Sequence, residues 1–162
     1  RFGYYYRAPV LMVAATHPMT HEIQAIQVIY LNPKTAEKAS LETNKRIIGC
    51  MKFGAHVVLQ KGTSHLYIAE GPETALSILE ATPTNTSVIA SLSVINFTHL
   101  SRFNHLPKNI TFCADNDGPN APPSKIVEKA AHALTEKNYQ VQIVQPKETK
   151  TDFNDVHRMQ GI

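Results

Sequence analysis

From Ser64 onward, strand-length apolar segments alternate with helix-length amphipathic ones, and few architectures accept that order. Residues 65–69 read as a short strand, after which Gly71-Pro72-Glu73 opens a helix running to about residue 81. Pro72 suits the first helical turn, where its missing N–H costs nothing, and Leu76 with Leu79 supplies an apolar face. Residues 86–92 form the next strand, 94–102 a short helix, and 110–114 a third strand. A Pro- and Asn-rich loop at 118–123 feeds a helix near 124–137. Its apolar face is Val127, Ala130, Ala131 and Leu134, spaced i, i+3, i+4, i+7. Residues 139–144 give a fourth strand, and 154–159 a last helical turn or two. Regular alternation with short connections predicts an α/β fold: a parallel four-stranded sheet with helices on both faces.

The preceding residues differ in character. Residues 10–15 and 23–31 read as strands joined by a turn at His17-Pro18-Met19-Thr20, and Asn32-Pro33 ends the second. A polar loop at 34–44 leads to short strand candidates at 46–53 and 56–60 around Gly54. The expected organisation is therefore a small antiparallel β-rich extension, residues 1–63, before an α/β domain, residues 64–162. With Arg1 rather than Met at the start, we expect a segment of a longer protein. The apolar run 8–15 contains Pro9 and is too short to span a bilayer. Cys50 and Cys113 form no Cys-x-x-Cys pair, which argues against a disulfide scaffold or cysteine zinc site. No secretory leader is recognisable, so a bacterial cytoplasmic location without membrane partners is expected.

In a parallel sheet, ligands bind beyond the carboxyl ends of the strands. Here the first of the four strands ends in Ala69-Glu70-Gly71 and the third in Ala114-Asp115-Asn116-Asp117-Gly118. Three carboxylates thus project from one sheet edge, with Gly71 and Gly118 placed to let the backbone turn sharply. Gathered carboxylates repel one another, and a hard divalent cation removes that penalty. Mg²⁺ prefers oxygen ligands and is commonly held by one or two carboxylates plus substrate phosphates. Glu70, Asp115 and Asp117 therefore make sense as a Mg²⁺ platform for phosphoryl chemistry, with Mn²⁺ as a substitute. Glu70 could instead be a general acid or base.

The segment from Ile68 to Ala75, followed by Ala114-Asp115-Asn116-Asp117, resembles a Toprim domain, a fold of primases, topoisomerases and some nucleases. The family has a Glu after its first strand and Asp-x-Asp after its third, and the interval of about 45 residues suits it. Lys150-Thr151-Asp152-Phe153-Asn154-Asp155 is similar to the ending of Toprim domains in plasmid and phage primase-like proteins, some joined to conjugative relaxases. The resemblance implies a Mg²⁺-dependent, nucleic-acid-processing domain of a larger mobile-element protein. Nucleotidyl transfer or phosphodiester cleavage would be carried by Glu70, Asp115 and Asp117. The implied partners are DNA, single-stranded in particular, or nucleotides, and the parent's other domains. Position 119, where some members carry a third acid, is Pro, which puts a second metal in doubt.

Other candidates admit two readings each. Glu73 either favours the helix macrodipole or orients metal or its water. Asp152 and Asp155 either approach the site or serve the last helix, which Asp152 or Asn154 would cap. Lys150 either touches phosphate or is solvated. Arg7, Lys45, Arg46, Lys52 and Lys61 are candidates for DNA-backbone contact, from a region holding eight Lys or Arg against three acids in residues 1–64. His65 reads as structural, His132 as exposed and Cys113 as a buried small hydrophobe. Two rival functions stay open: a non-catalytic Toprim module that binds DNA or a protein, and a phosphatase-like enzyme with Asp115 as nucleophile.

Overall fold

A computed structural model of the chain describes residues 7–52, 54–103, 105–118 and 122–160. The Pro119 position and most of the loop leading to residue 123 lie outside the described residues, as does Phe53 at the end of one strand candidate. Two sheets are present. In the first, β1 (Val10–Thr16), β2 (Ile23–Tyr30) and β3 (Lys45–Gly49) run antiparallel in that order. The turn after β1 is fixed by His17, whose Nδ1 accepts the backbone N–H groups of Met19 and Thr20 at 3.2 Å each.

The second sheet takes β4 (Val57–Gln60), β5 (His65–Ala69), β6 (Ser87–Ala90), β7 (Asn109–Cys113) and β8 (Gln140–Val144) in the order β4-β6-β5-β7-β8. Strands β5 to β8 are mutually parallel, as the alternation predicts. A fifth strand is added: β4, expected within the β-rich extension, pairs antiparallel with β6 at the sheet edge. An apolar run of four residues carries no periodicity to say which sheet it joins.

Successive side chains of β5 to β7 point to opposite faces, and the two faces carry two cores. On one, Leu66, Ile68, Ile89, Ile110 and Phe112 pack against the 3₁₀ helix Val94–Arg102 and α2 (Pro122–Thr135), through Phe97, Leu100, Val127, Ala130 and Leu134. On the other, Ala69, Val88, Ala90 and Cys113 pack against α1 (Pro72–Ala81) and against Val13, Ala15 and Ala25 of the first sheet. The β-rich segment and the parallel sheet thus share a core. α3 (Phe153–Gln160) packs beside α1. Truncating a fully buried residue such as Phe112 or Ile68 costs about 2–5 kcal/mol in sites of this kind.

The buried face of α1 differs from the Leu76–Leu79 stripe expected. Leu76 is 37% exposed, while Pro72, Thr74, Ala75, Ser77 and Ile78 are buried. The reason is α3: Thr74 and Ser77 face it and donate hydrogen bonds to Asp152 Oδ2 and Asn154 Oδ1, each at 3.2 Å. His65 bonds Thr111 Oγ1 at 2.8 Å and stacks on Tyr67, a structural role. His132 is exposed and Cys113 buried, its thiol pushed up to about 12 by burial. No helix among the described residues is long and apolar enough to cross a membrane.

Candidate metal and phosphate site

The carboxyl ends of β5 and β7 lie side by side, because Ala69 pairs with Cys113 in the parallel register. Glu70 follows the first strand and Asp115 stands two residues past the second. The Glu70 backbone is pinned where its carbonyl accepts Leu92 N–H at 2.9 Å. That of Asp115 is pinned where its carbonyl accepts Gln145 Nε2 at 3.0 Å. Both carboxylates line a small pocket of about 110 Å³, together with Gln27, Lys38, Lys45, Glu73, Thr74 and Asp152. Asp117 does not line this pocket and is exposed.

Between the two aspartates, Asn116 is a brace. Its backbone N–H donates to Thr151 O at 3.0 Å, its Nδ2 to Pro146 O at 2.8 Å, and its Oδ1 accepts Gly118 N–H at 3.2 Å. Gly118 sits at φ +102, a left-handed conformation that favours glycine, with open space around its α-carbon. Gly71 needs no such freedom: its φ is −88 and a Cβ would meet only ordinary contacts. It is simply the N-cap of α1.

The loop ending at Thr151 carries Asp152 to the same pocket. Asp152 caps α3, its Oδ1 accepting Asp155 N–H at 2.9 Å, while Asp155 Oδ2 accepts Asp152 N–H at 3.2 Å. This reciprocal pair satisfies two otherwise unpaired donors at the helix start. Asp152 therefore does both things that were open: it caps the helix and brings a carboxylate to the acids. Asp155 is committed to the cap.

These placements set the charge state of Asp115. Its carboxyl is pushed up to about 6, first by burial and then by the neighbouring Asp152, Glu70 and Asp117, with Lys38 opposing. Its Oδ1 is buried and has no hydrogen-bond partner among the described residues. A carboxylate in that state lacks a cation or a proton. Among the described residues, no three His, Cys, Asp or Glu side chains are closed into a metal-binding set. The arrangement suits an ion that keeps waters and substrate oxygens in its shell, as Mg²⁺ does, better than one needing a full protein cage.

Glu73 pairs with Lys38, Nζ to Oε1 at 3.0 Å. Lys38 comes from the polar loop after β2, where a bridge between Leu31 and Lys38 holds it. Sequence reasoning missed Lys38 and Gln27, the latter a buried polar residue of β2. A polar residue at an inward position of an alternating strand was the signal available for Gln27. Of the basic candidates, Lys45 lines the acid pocket. Arg46 and Lys52 are exposed nearby in sequence, and Lys150 is exposed with φ +62, its backbone N–H donating to Asn116 O. Arg7 is exposed. Lys61 lies elsewhere, at the opposite end of the parallel strands.

The family model of the Toprim domain matches residues 65–162. The chain belongs to the Toprim family. In fold, this Toprim chain is similar to the primase fragment of the bacteriophage T7 primase–helicase protein, with a TM-score of 0.62 at 18% identity over 93% of this chain. It is similar to a DNA primase domain from Pseudomonas aeruginosa (TM-score 0.63, 15% identity, 93% of this chain). The E. coli primase catalytic core gives a TM-score of 0.59 at 10% identity over 93% of this chain. The chain spans 59%, 47% and 48% of those three chains respectively. No curated protein matches it by sequence.

Proposed function

We propose that this Toprim chain is the metal-dependent part of a primase-like protein, acting on DNA or nucleotides by nucleotidyl transfer or phosphodiester cleavage. The observation that carries the reading is the buried, unpartnered Oδ1 of Asp115 in a pocket shared with Glu70 and Asp152. Glu70 and Asp115 would hold the ion, with Asp117 reaching it from the exposed side, and Mn²⁺ could replace Mg²⁺. When bound, the cation supplies charge for phosphate oxygens and lowers the pKa of an attacking hydroxyl.

The chain's own groups prepare that chemistry. Asp152, held by the cap and by Thr74, keeps negative charge on the pocket wall. Lys38, anchored on Glu73, offers the ammonium beside the acids and limits their mutual repulsion. Lys45 provides a second cation at the pocket for a phosphate. Arg46, Lys52 and Lys150 would extend contact along a DNA backbone, single strands in particular. Similarity of fold to primase structures and the Lys150-to-Asp155 ending support a plasmid or phage setting, possession of further domains, and a bacterial cytoplasmic location.

The test is template-dependent primer synthesis and single-strand cleavage with MgCl₂ or with EDTA, for wild type and Glu70→Gln. Mg²⁺-dependent product lost in Glu70→Gln is expected. DNA binding that needs no metal and survives Glu70→Gln, without any product, would turn the reading to a non-catalytic module. The exposure of Asp117, outside the pocket that Glu70, Asp115 and Asp152 line, is what favours that second reading.

A further inference from the structure

A second pocket, of about 270 Å³, opens at the amino ends of β5 and β6, the sheet edge opposite the acids. One five-residue strand at about 3.3 Å per residue puts some 17 Å between the two edges. Val58, Leu66, Ile89, Leu100, Phe103 and Leu106 make its walls. Gly54 packs behind Phe103: at φ +76 its α-carbon lies so close to the 3₁₀ helix that a Cβ would sit 2.6 Å from His99 Cβ and 2.9 Å from Phe103 Cζ.

The polar groups of this pocket divide into two sets. Those of the floor are already satisfied: Gln60 Nε2 donates to Thr86 O and Pro83 O, and Ser87 Oγ donates to Gly62 O. Those of the wall and rim are Thr16, His56, His21, His105 and Lys61, and among the described residues no carboxylate lines the pocket. His56 Nδ1 lies 3.0 Å from Gly54 O. A carbonyl can only accept, so Nδ1 carries the hydrogen and Nε2 of the neutral ring is left as an acceptor. Burial, and after it the charge on His21, holds this imidazole below its ordinary range despite the Gly54 bond, so the neutral form prevails. The Phe103 ring packs on it, tilted by 38° with 5.9 Å between centroids, and backs the imidazole on one side. His21 and His105 are exposed and come from separate loops, yet both stand at positive φ, +60 and +67.

The wall asks for a flat apolar body with an N–H to donate to His56, and the rim for an anion. We propose that this pocket binds a single nucleotide, its base packed against the apolar wall with an N–H on His56 Nε2, and its phosphate on His21, His105 and Lys61. Every natural base offers an N–H donor, so the pocket accepts nucleotides without strong base preference. The proposal rests on the reading of the chain as a nucleic-acid-processing protein. It adds a contact point for a nucleotide remote from the reacting edge.

The experiment is a titration of ¹⁵N,¹³C-labelled full chain with dCMP, deoxycytidine and inorganic phosphate separately, followed by amide and imidazole NMR signals. With dCMP, shifts confined to the His56 ring and to the amides of His21, Lys61, Gly62 and His105 are expected. His56→Phe keeps the ring and removes the acceptor, and should weaken dCMP about fivefold, as the loss of one hydrogen bond does. Lys61→Gln should weaken dCMP while leaving deoxycytidine unaffected. The same pocket shifts in Asp115→Asn keep this test separate from the metal reading. Oligo-dC that displaces dCMP identifies a nucleotide within a strand as the occupant. Failure to displace it identifies the free mononucleotide, and both support the site. No pocket shifts at millimolar dCMP, or identical shifts with phosphate alone, would overturn it.

Discussion

Replacing Asp115 with Asn should stabilise this protein, and only above a definable pH. The carboxyl is moved from 3.8 to about 6 in the folded chain, chiefly by burial and by Asp152. That displacement corresponds to about 3 kcal/mol against the charged form. Asp115 keeps part of its surface in solvent, which screens the penalty to about 1–2 kcal/mol. The sign follows from proton counting. Between about pH 4 and 6 the folded state binds more protons than the unfolded one, so stability falls as pH rises through that window and then levels. Asn is nearly isosteric and carries no charge, so the penalty disappears in the variant. Urea unfolding in EDTA, with m-values held in common, should show the two proteins equal near pH 4. Above about pH 6 Asp115→Asn should be more stable by about 1–2 kcal/mol. A difference that does not vary with pH, or a wild type more stable at neutral pH, would refute the burial argument.

Further outcomes follow from the same contacts. Asp152→Ala should lose about 1 kcal/mol by removing the α3 cap, whereas Asp152→Asn should keep most of it; both should bring the Asp115 carboxyl down, read from its ¹³C chemical shift against pH. Lys38→Met removes the cation that opposes the other influences on Asp115, so that carboxyl should titrate at still higher pH in the same experiment. Gly54→Ala joins a left-handed φ to contacts under 3 Å and should cost about 2–4 kcal/mol in denaturant unfolding. Gly71→Ala, at φ −88 without crowding, should change stability by less than about 1 kcal/mol.

What the sequence made legible here, and what it hid, separates along one line. Glu70 and Asp115 could be placed together because a parallel sheet sends all its strand ends to one edge, and strand type follows from alternation with helices. The apolar stripe Val127, Ala130, Leu134 was readable because one helical face meets one sheet face. Lys38 and Gln27 reach the acids from a loop and a hairpin more than thirty residues before Glu70, placed by tertiary packing that no local pattern encodes. The pairing of Val57–Gln60 with β6 was hidden for the same reason. Leu76 misled because α1 buries small polar residues against α3, where Asp152 and Asn154 accept their hydroxyls. Asp152 could not be decided between cap and site because the residue that caps α3 through Oδ1 also stands on the pocket wall, its Oδ2 accepting the Thr74 hydroxyl.

The central claim is that the acids at this sheet edge hold a divalent cation. MgCl₂ titrated into ¹⁵N-labelled protein, with MnCl₂ as paramagnetic probe, tests it without needing substrate. The account predicts Mg²⁺ shifts and Mn²⁺ broadening centred on the amides of Glu70–Gly71 and Asp115–Gly118, reaching Asp152, and weakened in Glu70→Gln and Asp115→Asn. Uniform, weak effects across the surface up to millimolar metal, or a centre away from these acids, would contradict it.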